Sequence, residues 1–349
     1  MTLYYSHASR VNDFIVSDDR SLVDQFRRKI TYLRVSLTEH CNFRCKYCSP
    51  EKGTPYFDRE THLQPDEYAR LIRLFAEMGI KHLRMTGGEP LIYPQVLALI
   101  EAARQSGIAE ISLSTNGLLL EKMAANLRDA GATRLNISLD SLDPQRFARI
   151  TRGGRLERVK RGIETAVAVG FPRISLNVVM LREENMDECS ALADYAVALG
   201  VDIRFIETMP LGDAGSHAVQ AQYCAADAVL QSLSRHFGHL DPVPSPRHHG
   251  PARLYAIPGK VSKIGFITPV SDSFCSACNR IRLTAEGRLL YCLGQEAGLD
   301  LRRSLRRGDA DASLCESIRV GIWNDKPERH YFNDQPTRSG RVFMMRVGG

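Results

Sequence analysis

Between residues 30 and 207, short apolar runs alternate with longer segments whose apolar residues recur every three or four positions. The runs 31–37 (TYLRVSL), 81–85 (KHLRM), 110–114 (EISLS), 134–139 (RLNISL), 173–180 (RISLNVVM) and 202–207 (DIRFIE) read as strands. Segment 65–79 carries Tyr68, Leu71, Ile72 and Phe75 at i, i+3, i+4 and i+7, the stripe of an amphipathic helix. Segments 94–107 and 120–131 read as helices that stop at Gly107 and Gly131. Strands alternating with helices predict a parallel sheet with right-handed crossovers. Six units fall short of the eight that close a (β/α) barrel. The expected fold is therefore α/β: an open or partial (β/α)6 barrel over 30–209, after an N-terminal extension, 1–29.

Past Pro210 the alternation breaks down. Residues 211–260 mix Gly, Pro and His irregularly, and a helical pattern resumes from about 299 before a polar tail ending in Gly348-Gly349. Residues 210–349 are expected to form a C-terminal subdomain.

Ligands of parallel α/β folds bind at the carboxyl ends of strands. Polar and chemically active residues gather there in this chain. A cysteine triplet follows the first candidate strand, TGGEP (86–90) the second and STNG (114–117) the third. Ser138 and Asp140 end the fourth, and Glu207 and Met209 the sixth.

Composition narrows the chemistry. The net charge of +6 over 349 residues is mild. It fits a solvated basic face, or arginines in a pocket for a phosphate-bearing ligand, and it carries no expectation of nucleic acid. No stretch approaches the ~18 apolar residues of a membrane span, and the N-terminus lacks a basic head followed by an apolar run. A cytoplasmic location without membrane attachment is expected. The nine cysteines are an odd number, and a reducing compartment disfavours disulfides. Six fall into two tight groups: Cys41, Cys45, Cys48, and Cys275, Cys278, Cys292. Clustering of this kind points to metal or redox chemistry, whereas the isolated Cys189, Cys224 and Cys315 read as buried small hydrophobes.

The first group has C-x3-C-x2-C spacing. Three thiolates so close together can hold one face of an iron–sulfur cubane and leave one iron open. The competing reading is structural zinc, with His40 or a remote residue as fourth ligand. On this triplet the chain resembles the radical S-adenosylmethionine superfamily. The resemblance implies a [4Fe–4S] cluster whose open iron chelates S-adenosylmethionine and cleaves it to a 5′-deoxyadenosyl radical. It further implies that Tyr47, just before the third cysteine, packs near the adenine. Gly87-Gly88-Glu89-Pro90 would hold the methionine amino group, with glycines exposing backbone carbonyls.

The second group, C-x2-C-x13-C, again offers three ligands. It reads either as a structural site (a zinc knuckle or an inert cluster) or as a second [4Fe–4S] cluster whose free iron meets substrate. Arg280 and Arg282 alternate on an extended segment, so they project to one side and suit a phosphate chain. With YLRVSLTEHCNFRCKYC, LRMTGGEPL, STNG, RLNISLD, RFIETMPLG, FCSACNRIRLTAEG and the terminal Gly-Gly, the resemblance narrows to the GTP 3′,8-cyclase family of molybdenum-cofactor biosynthesis. It extends from about residue 20 to the end.

That resemblance implies two [4Fe–4S] clusters, S-adenosylmethionine contacts at Tyr47, Gly88, Ser138 and Met209, and GTP contacts at Arg34, Arg84, Ser114, Ser175, Arg280 and Arg282. It implies that Gly348 and Gly349 reach the active site and are needed for catalysis. The implied reaction is hydrogen abstraction from C3′ of GTP and attack of the sugar radical on guanine C8. Reduction and protonation then give (8S)-3′,8-cyclo-7,8-dihydroguanosine 5′-triphosphate. The implied partners are a ferredoxin- or flavodoxin-type reductant and cyclic pyranopterin monophosphate synthase, which takes the product; a homodimer is an open expectation. The chain departs from the family in three places. Ser175 stands where a lysine near the triphosphate is usual, with Arg173 two residues earlier as the candidate substitute. His82 stands where a lysine is common, beside Lys81, and Ser49 replaces a common methionine. Two other readings remain open at this level: a radical enzyme acting on a peptide or other substrate, with the second cluster as an electron relay, and a zinc-binding or redox-sensing adaptor.

Overall fold

A computed structural model of the chain describes residues 21–49, 59–209, 221–244, 250–293, 298–330 and 344–347. The expected catalytic residues Gly348 and Gly349 lie outside the described residues. A hairpin of β1 (Leu22–Val23) and β2 (Lys29–Ile30) comes first. The repeating units follow: β3 (Tyr32–Ser36), α1 (Pro65–Glu77), β4 (His82–Thr86), α2 (Val96–Gln105), β5 (Glu110–Thr115), α3 (Leu120–Ala130), β6 (Arg134–Ser138), α4 (Pro144–Thr151), α5 (Leu156–Val169), β7 (Arg173–Val179), α6 (Cys189–Ala198) and β8 (Asp202–Ile206). The chain continues through α7 (Ala226–Phe237), β9 (Asp241–Val243), β10 (Arg253–Ala256), β11 (Lys263–Ile267), β12 (Arg280–Leu283), β13 (Arg288–Leu290), β14 (Gly298–Asp300), α8 (Leu301–Arg306), α9 (Asp311–Asp325) and α10 (Met344–Val347).

Local sequence explains the unit boundaries. Helix α1 opens with Pro65 in its first turn, and the Glu67 carboxylate accepts from the Gln64 N–H at 2.7 Å, satisfying an otherwise orphaned donor. Helix α3 ends at Gly131, whose φ of +117° reverses the chain at little steric cost.

All six expected strands are present, parallel, and adjacent in sequence order, β3 to β8. The sheet is wider than expected. β12 adds in parallel beside β3, and β11 adds in parallel beside β8. Antiparallel β13 and β14 then extend one edge, and β10 and β9 the other, giving a 12-stranded sheet. Residues beyond 210 therefore flank the barrel strands on both sides. These strands escape a periodicity search because they are short, so the extended reading of Arg280 and Arg282 does not by itself place them in the sheet.

Side-chain alternation gives the barrel two different faces. Leu33, Val35, Leu83, Met85, Leu113, Leu135, Ile137, Leu176 and Val178 are fully buried, together with Leu71, Ile72 and Phe75 of α1. Burying each such side chain is worth about 1.5–3 kcal/mol. The alternate positions are polar: Arg34, Ser36, Arg84, Thr86, Ser112, Ser114, Asn136, Ser138, Ser175, Asn177 and Arg204. An inner face built this way does not fill itself with aliphatic side chains, as a closed barrel does, and it leaves a cavity. Among the described residues no helix is long and apolar enough to cross a membrane.

Candidate active site

The polar inner face borders a cavity of about 310 Å³, a size suited to small ligands. All six clustered cysteines line it, with Tyr47, Gly88, Ser138, Met209, Arg34, Arg84, Ser114, Arg280 and Arg282. The two cysteine groups stand at opposite ends. The first follows the carboxyl end of β3. The second precedes β12, and because β12 runs parallel to β3 with Arg280 beside Tyr32, it stands at the amino end. The peptide N–H groups of Thr31 and Tyr32 donate to the carbonyl of Asn279, the residue after Cys278, at 3.1 and 3.2 Å. Tyr32 to Ser36 spans roughly 13 Å, which sets the scale of the separation between the groups.

The first cysteine loop is fixed from several sides. Arg44 and Lys46 donate backbone N–H bonds to Thr151 and Ile150 at the end of α4, at 3.1 and 3.0 Å. Arg152 Nη1 donates to the Ser49 carbonyl at 2.9 Å. The GGEP segment clamps the other flank: Gly88 N–H donates to Thr38 O at 2.6 Å and Glu89 N–H to His40 O at 2.8 Å. A Cβ at Gly88 would collide with the His40 carbonyl, so glycine is required there by close approach. Glu89 is buried and accepts from Thr115 Oγ1 at 2.7 Å, Asn116 N–H at 2.7 Å and Leu91 N–H at 3.1 Å. It thereby ties β4 to β5. Tyr47 OH donates to Asp140 Oδ2 at 2.7 Å, and Val179 N–H donates to Asp140 Oδ1 at 2.9 Å. Burial pushes the Asp140 carboxyl up to about 6 against these donors.

The two thiol groups sit in opposite electrostatic surroundings. Burial pushes Cys41 up to about 11 and Cys48 to about 12, and Cys45 also rises. Peptide N–H groups of Phe43 and Met345 nevertheless face the sulfurs of Cys41 and Cys48. At the second group burial opposes ionisation as well, but the neighbours outweigh it. Hydrogen bonds from His330 and Ser273 bring Cys275 down to about 7. The Arg280 and Lys326 cations bring Cys278 down to about 6. Arg280 Nη2 is 3.7 Å and Lys326 Nζ 4.0 Å from Cys278 Sγ. Free thiols with N–H donors aimed at sulfur are the donor chemistry of iron–sulfur ligation. Among the described residues no three His, Cys, Asp or Glu side chains converge on a point where one ion would sit. A cubane takes each thiolate on a different iron, so the three-thiol sets fit it.

Between the groups the strand register lines up cations. Arg282, Arg34, Arg84, Ser112 and Arg134 stand side by side on neighbouring strands. Burial, then Arg282 and Arg84, lower the Arg34 pKa; burial, then Arg280, bring Arg282 to about 10. An anion in the cavity would relieve this repulsion.

Three positions singled out in the sequence do not line the cavity. Ser175 is buried on the inner face but does not line the cavity, and its hydroxyl has no hydrogen-bond partner among the described residues. Arg173, the candidate substitute, is exposed at the start of β7 and does not line the cavity. His82 stacks on Tyr32 with ring centroids 5.9 Å apart and faces Glu110 at 3.8 Å, again outside the lining.

Arg204 was missed by sequence reasoning. It lines the cavity, donates Nη1 to Asn136 Oδ1 at 2.9 Å, and has a buried Nε without a partner among the described residues. Burial, then Arg134 and Arg84, bring it down to about 9. Its signal was an arginine inside an apolar strand, two residues before Ile206 on the same face. Lys326 and His330 carried no usable sequence signal, because they lie more than thirty residues beyond Cys292.

Known proteins agree with this arrangement. The profile of the radical SAM superfamily matches residues 35–196, and that of Molybdenum Cofactor Synthesis C matches residues 201–332. GTP 3′,8-cyclase from Hydrogenovibrio crunogenus is 43% identical over 332 residues, covering 94% of this chain and 100% of that protein. GTP 3′,8-cyclase 1 of Pseudomonas aeruginosa is 44% identical, covering 94% of this chain and 99% of its own length. Among solved structures, Streptococcus suis SuiB bound to precursor peptide SuiA superposes with a TM-score of 0.61 at 13% identity. That match covers 85% of this chain, which spans 65% of the length of SuiB, and it concerns the fold alone. On the near-full-length identity, the chain belongs to the GTP 3′,8-cyclase family of radical SAM enzymes.

Proposed function

We propose that the chain converts GTP to (8S)-3′,8-cyclo-7,8-dihydroguanosine 5′-triphosphate in molybdenum-cofactor biosynthesis. The observation that carries this reading is one cavity with three thiols at each end and five arginines between them: Arg34, Arg84, Arg204, Arg280 and Arg282. S-adenosylmethionine with a [4Fe–4S] cluster, when bound at Cys41, Cys45 and Cys48, supplies a 5′-deoxyadenosyl radical. Residues 30–209 serve that step, and residues 210–349 supply a second [4Fe–4S] site at Cys275, Cys278 and Cys292.

The residues divide the work. Tyr47, held by Asp140, sides the adenine, while Gly88, Ser138 and Met209 contact the rest of S-adenosylmethionine. The arginines bind the triphosphate as bidentate donors, and Ser114 adds a hydroxyl. Ser175 is too short to reach the cavity, so Arg204, an inward cation on the adjacent strand, takes the place of the family's lysine. Holding the ribose in one orientation lets a non-selective radical remove one hydrogen only. Water exclusion at the mouth of the partial barrel protects the intermediates. A ferredoxin- or flavodoxin-type donor, transfer of product to cyclic pyranopterin monophosphate synthase, a cytoplasmic setting and a homodimer belong to the same proposal.

Anaerobic incubation of reconstituted protein with GTP, S-adenosylmethionine and reductant tests it. The cyclic nucleotide and 5′-deoxyadenosine are expected together. Formation of 5′-deoxyadenosine with GTP left intact would overturn the substrate assignment.

A further inference from the structure

Lys326 is only 2% exposed. Buried lysines need compensation, and the groups its ammonium donates to are two carbonyls and a sulfur, with the Asp24 carboxylate acting on it only at longer range. Its Nζ donates to the Arg280 carbonyl at 2.9 Å, to the Tyr291 carbonyl at 2.8 Å and to Cys278 Sγ at 4.0 Å. Those carbonyls lie two residues after Cys278 and immediately before Cys292. One ammonium therefore bridges the two peptide segments that carry those cysteines. Arg28 completes the clasp: Nη1 donates to the Cys275 carbonyl and to the Glu328 carbonyl, each at 2.7 Å, and Nη2 to the Pro327 carbonyl at 2.6 Å. Asp24, itself buried, fixes Arg28 through Nε at 2.6 Å.

We propose that Lys326 is a positioning residue for the second cluster: it sets the spacing of Cys278 and Cys292 and places a buried positive charge beside their sulfurs, raising the cluster's reduction potential. Cluster potentials follow net charge and hydrogen bonds to sulfur, and a buried cation stabilises the more negative, reduced state. The negative charge that makes a buried ammonium tolerable is supplied by the thiolate-bound cluster itself. The proposal rests on the reading that Cys275, Cys278 and Cys292 hold a second cluster.

The experiment compares anaerobically reconstituted wild type, Lys326→Met and Lys326→Gln by iron content and by an EPR-monitored redox titration. Wild type with about four irons instead of about eight overturns the second-cluster reading itself. With about eight in wild type, both variants are expected to keep the first cluster, read by its EPR change on adding S-adenosylmethionine. They are expected to lose the second cluster, or to retain it at a more negative potential, and Lys326→Arg is expected to restore the potential in part. Full second-cluster occupancy at the wild-type potential in Lys326→Met overturns the proposal. If the uncharged variants do not fold, wild type labelled with ε-15N-lysine answers the same question. A 15N coupling to the reduced second cluster is expected, and its absence overturns the proposal.

Discussion

Arg282 Nη1 donates to the carbonyl of Val347 at 3.1 Å. A guanidinium at one end of the cationic row thus holds the last described residue before Gly348-Gly349. Arg346 pairs with the buried Glu39 at 3.4 Å, and the Met345 N–H faces Cys48. Residues 345–347, the cationic row and the first cysteine group are physically joined. Arg282→Ala should therefore lower kcat/KM for GTP by about tenfold or more, the loss of one charge-assisted contact. Deleting Gly348-Gly349 should then cost less in Arg282→Ala than in wild type, with a coupling of about 1 kcal/mol. Steady-state kinetics of the four proteins measures it, and strict additivity would show that the arginine does not act through the tail.

The Tyr47–Asp140 hydrogen bond makes a separate prediction for the other ligand. Asp140→Ala leaves a buried phenol without its acceptor and frees the Val179 N–H. Affinity for S-adenosylmethionine should fall about tenfold, consistent with the 1–3 kcal/mol of an orphaned buried polar group. Equilibrium binding to the reconstituted protein decides it. GTP affinity should change much less, because Asp140 stands at the opposite end of the strands from Arg280.

The six central strands were legible because each is an apolar run bounded by a helix of clear period, as at Leu33, Val35 and Tyr68, Leu71, Phe75. The six cysteines and Arg280, Arg282 were legible because their spacing is local. What sequence order hid was the end of the barrel at which each group stands. That depends on β12 joining β3 in parallel from almost 250 residues away, a long-range pairing that no local pattern encodes. The same holds for the bonds from Lys326 and Arg28 to the backbone carbonyls of Arg280, Tyr291 and Cys275, acceptors that carry no side-chain signature.

Ser175→Lys tests one of the three positions at which the family resemblance leads to the expectation of a different residue. Ser175 shares the inner face with Asn177 and Val179, which do line the cavity, so a four-carbon stem can carry an ammonium upward to it. Affinity for GTP should tighten by about tenfold. The ligand-free protein should become less stable, because the new charge joins Arg204 and Arg134 in a buried setting. Isothermal titration and thermal melts measure the two effects, and unchanged GTP affinity would show that Ser175 does not limit triphosphate binding.

Glu89 should make the cluster-free protein pH-sensitive. Burial pushes its carboxyl from 4.5 up to about 7, although Asn116, Thr115 and Leu91 donate to it. The folded chain holds this proton more tightly than the unfolded chain. The resulting stabilisation is complete below about pH 4.5 and is lost as pH rises through about 7. The gap corresponds to about 3 kcal/mol. Glu89→Gln cannot titrate, so its stability should vary less between pH 5 and 7.5. It should also be less stable at pH 5, since its amide nitrogen faces the N–H of Asn116 or the hydroxyl of Thr115, and one buried donor loses its acceptor. Asp140, raised to about 6 by burial, titrates in both proteins and cancels in the comparison. Denaturant melts of the two apoproteins across that range are the measurement, and parallel pH profiles would show that Glu89 stays ionised throughout.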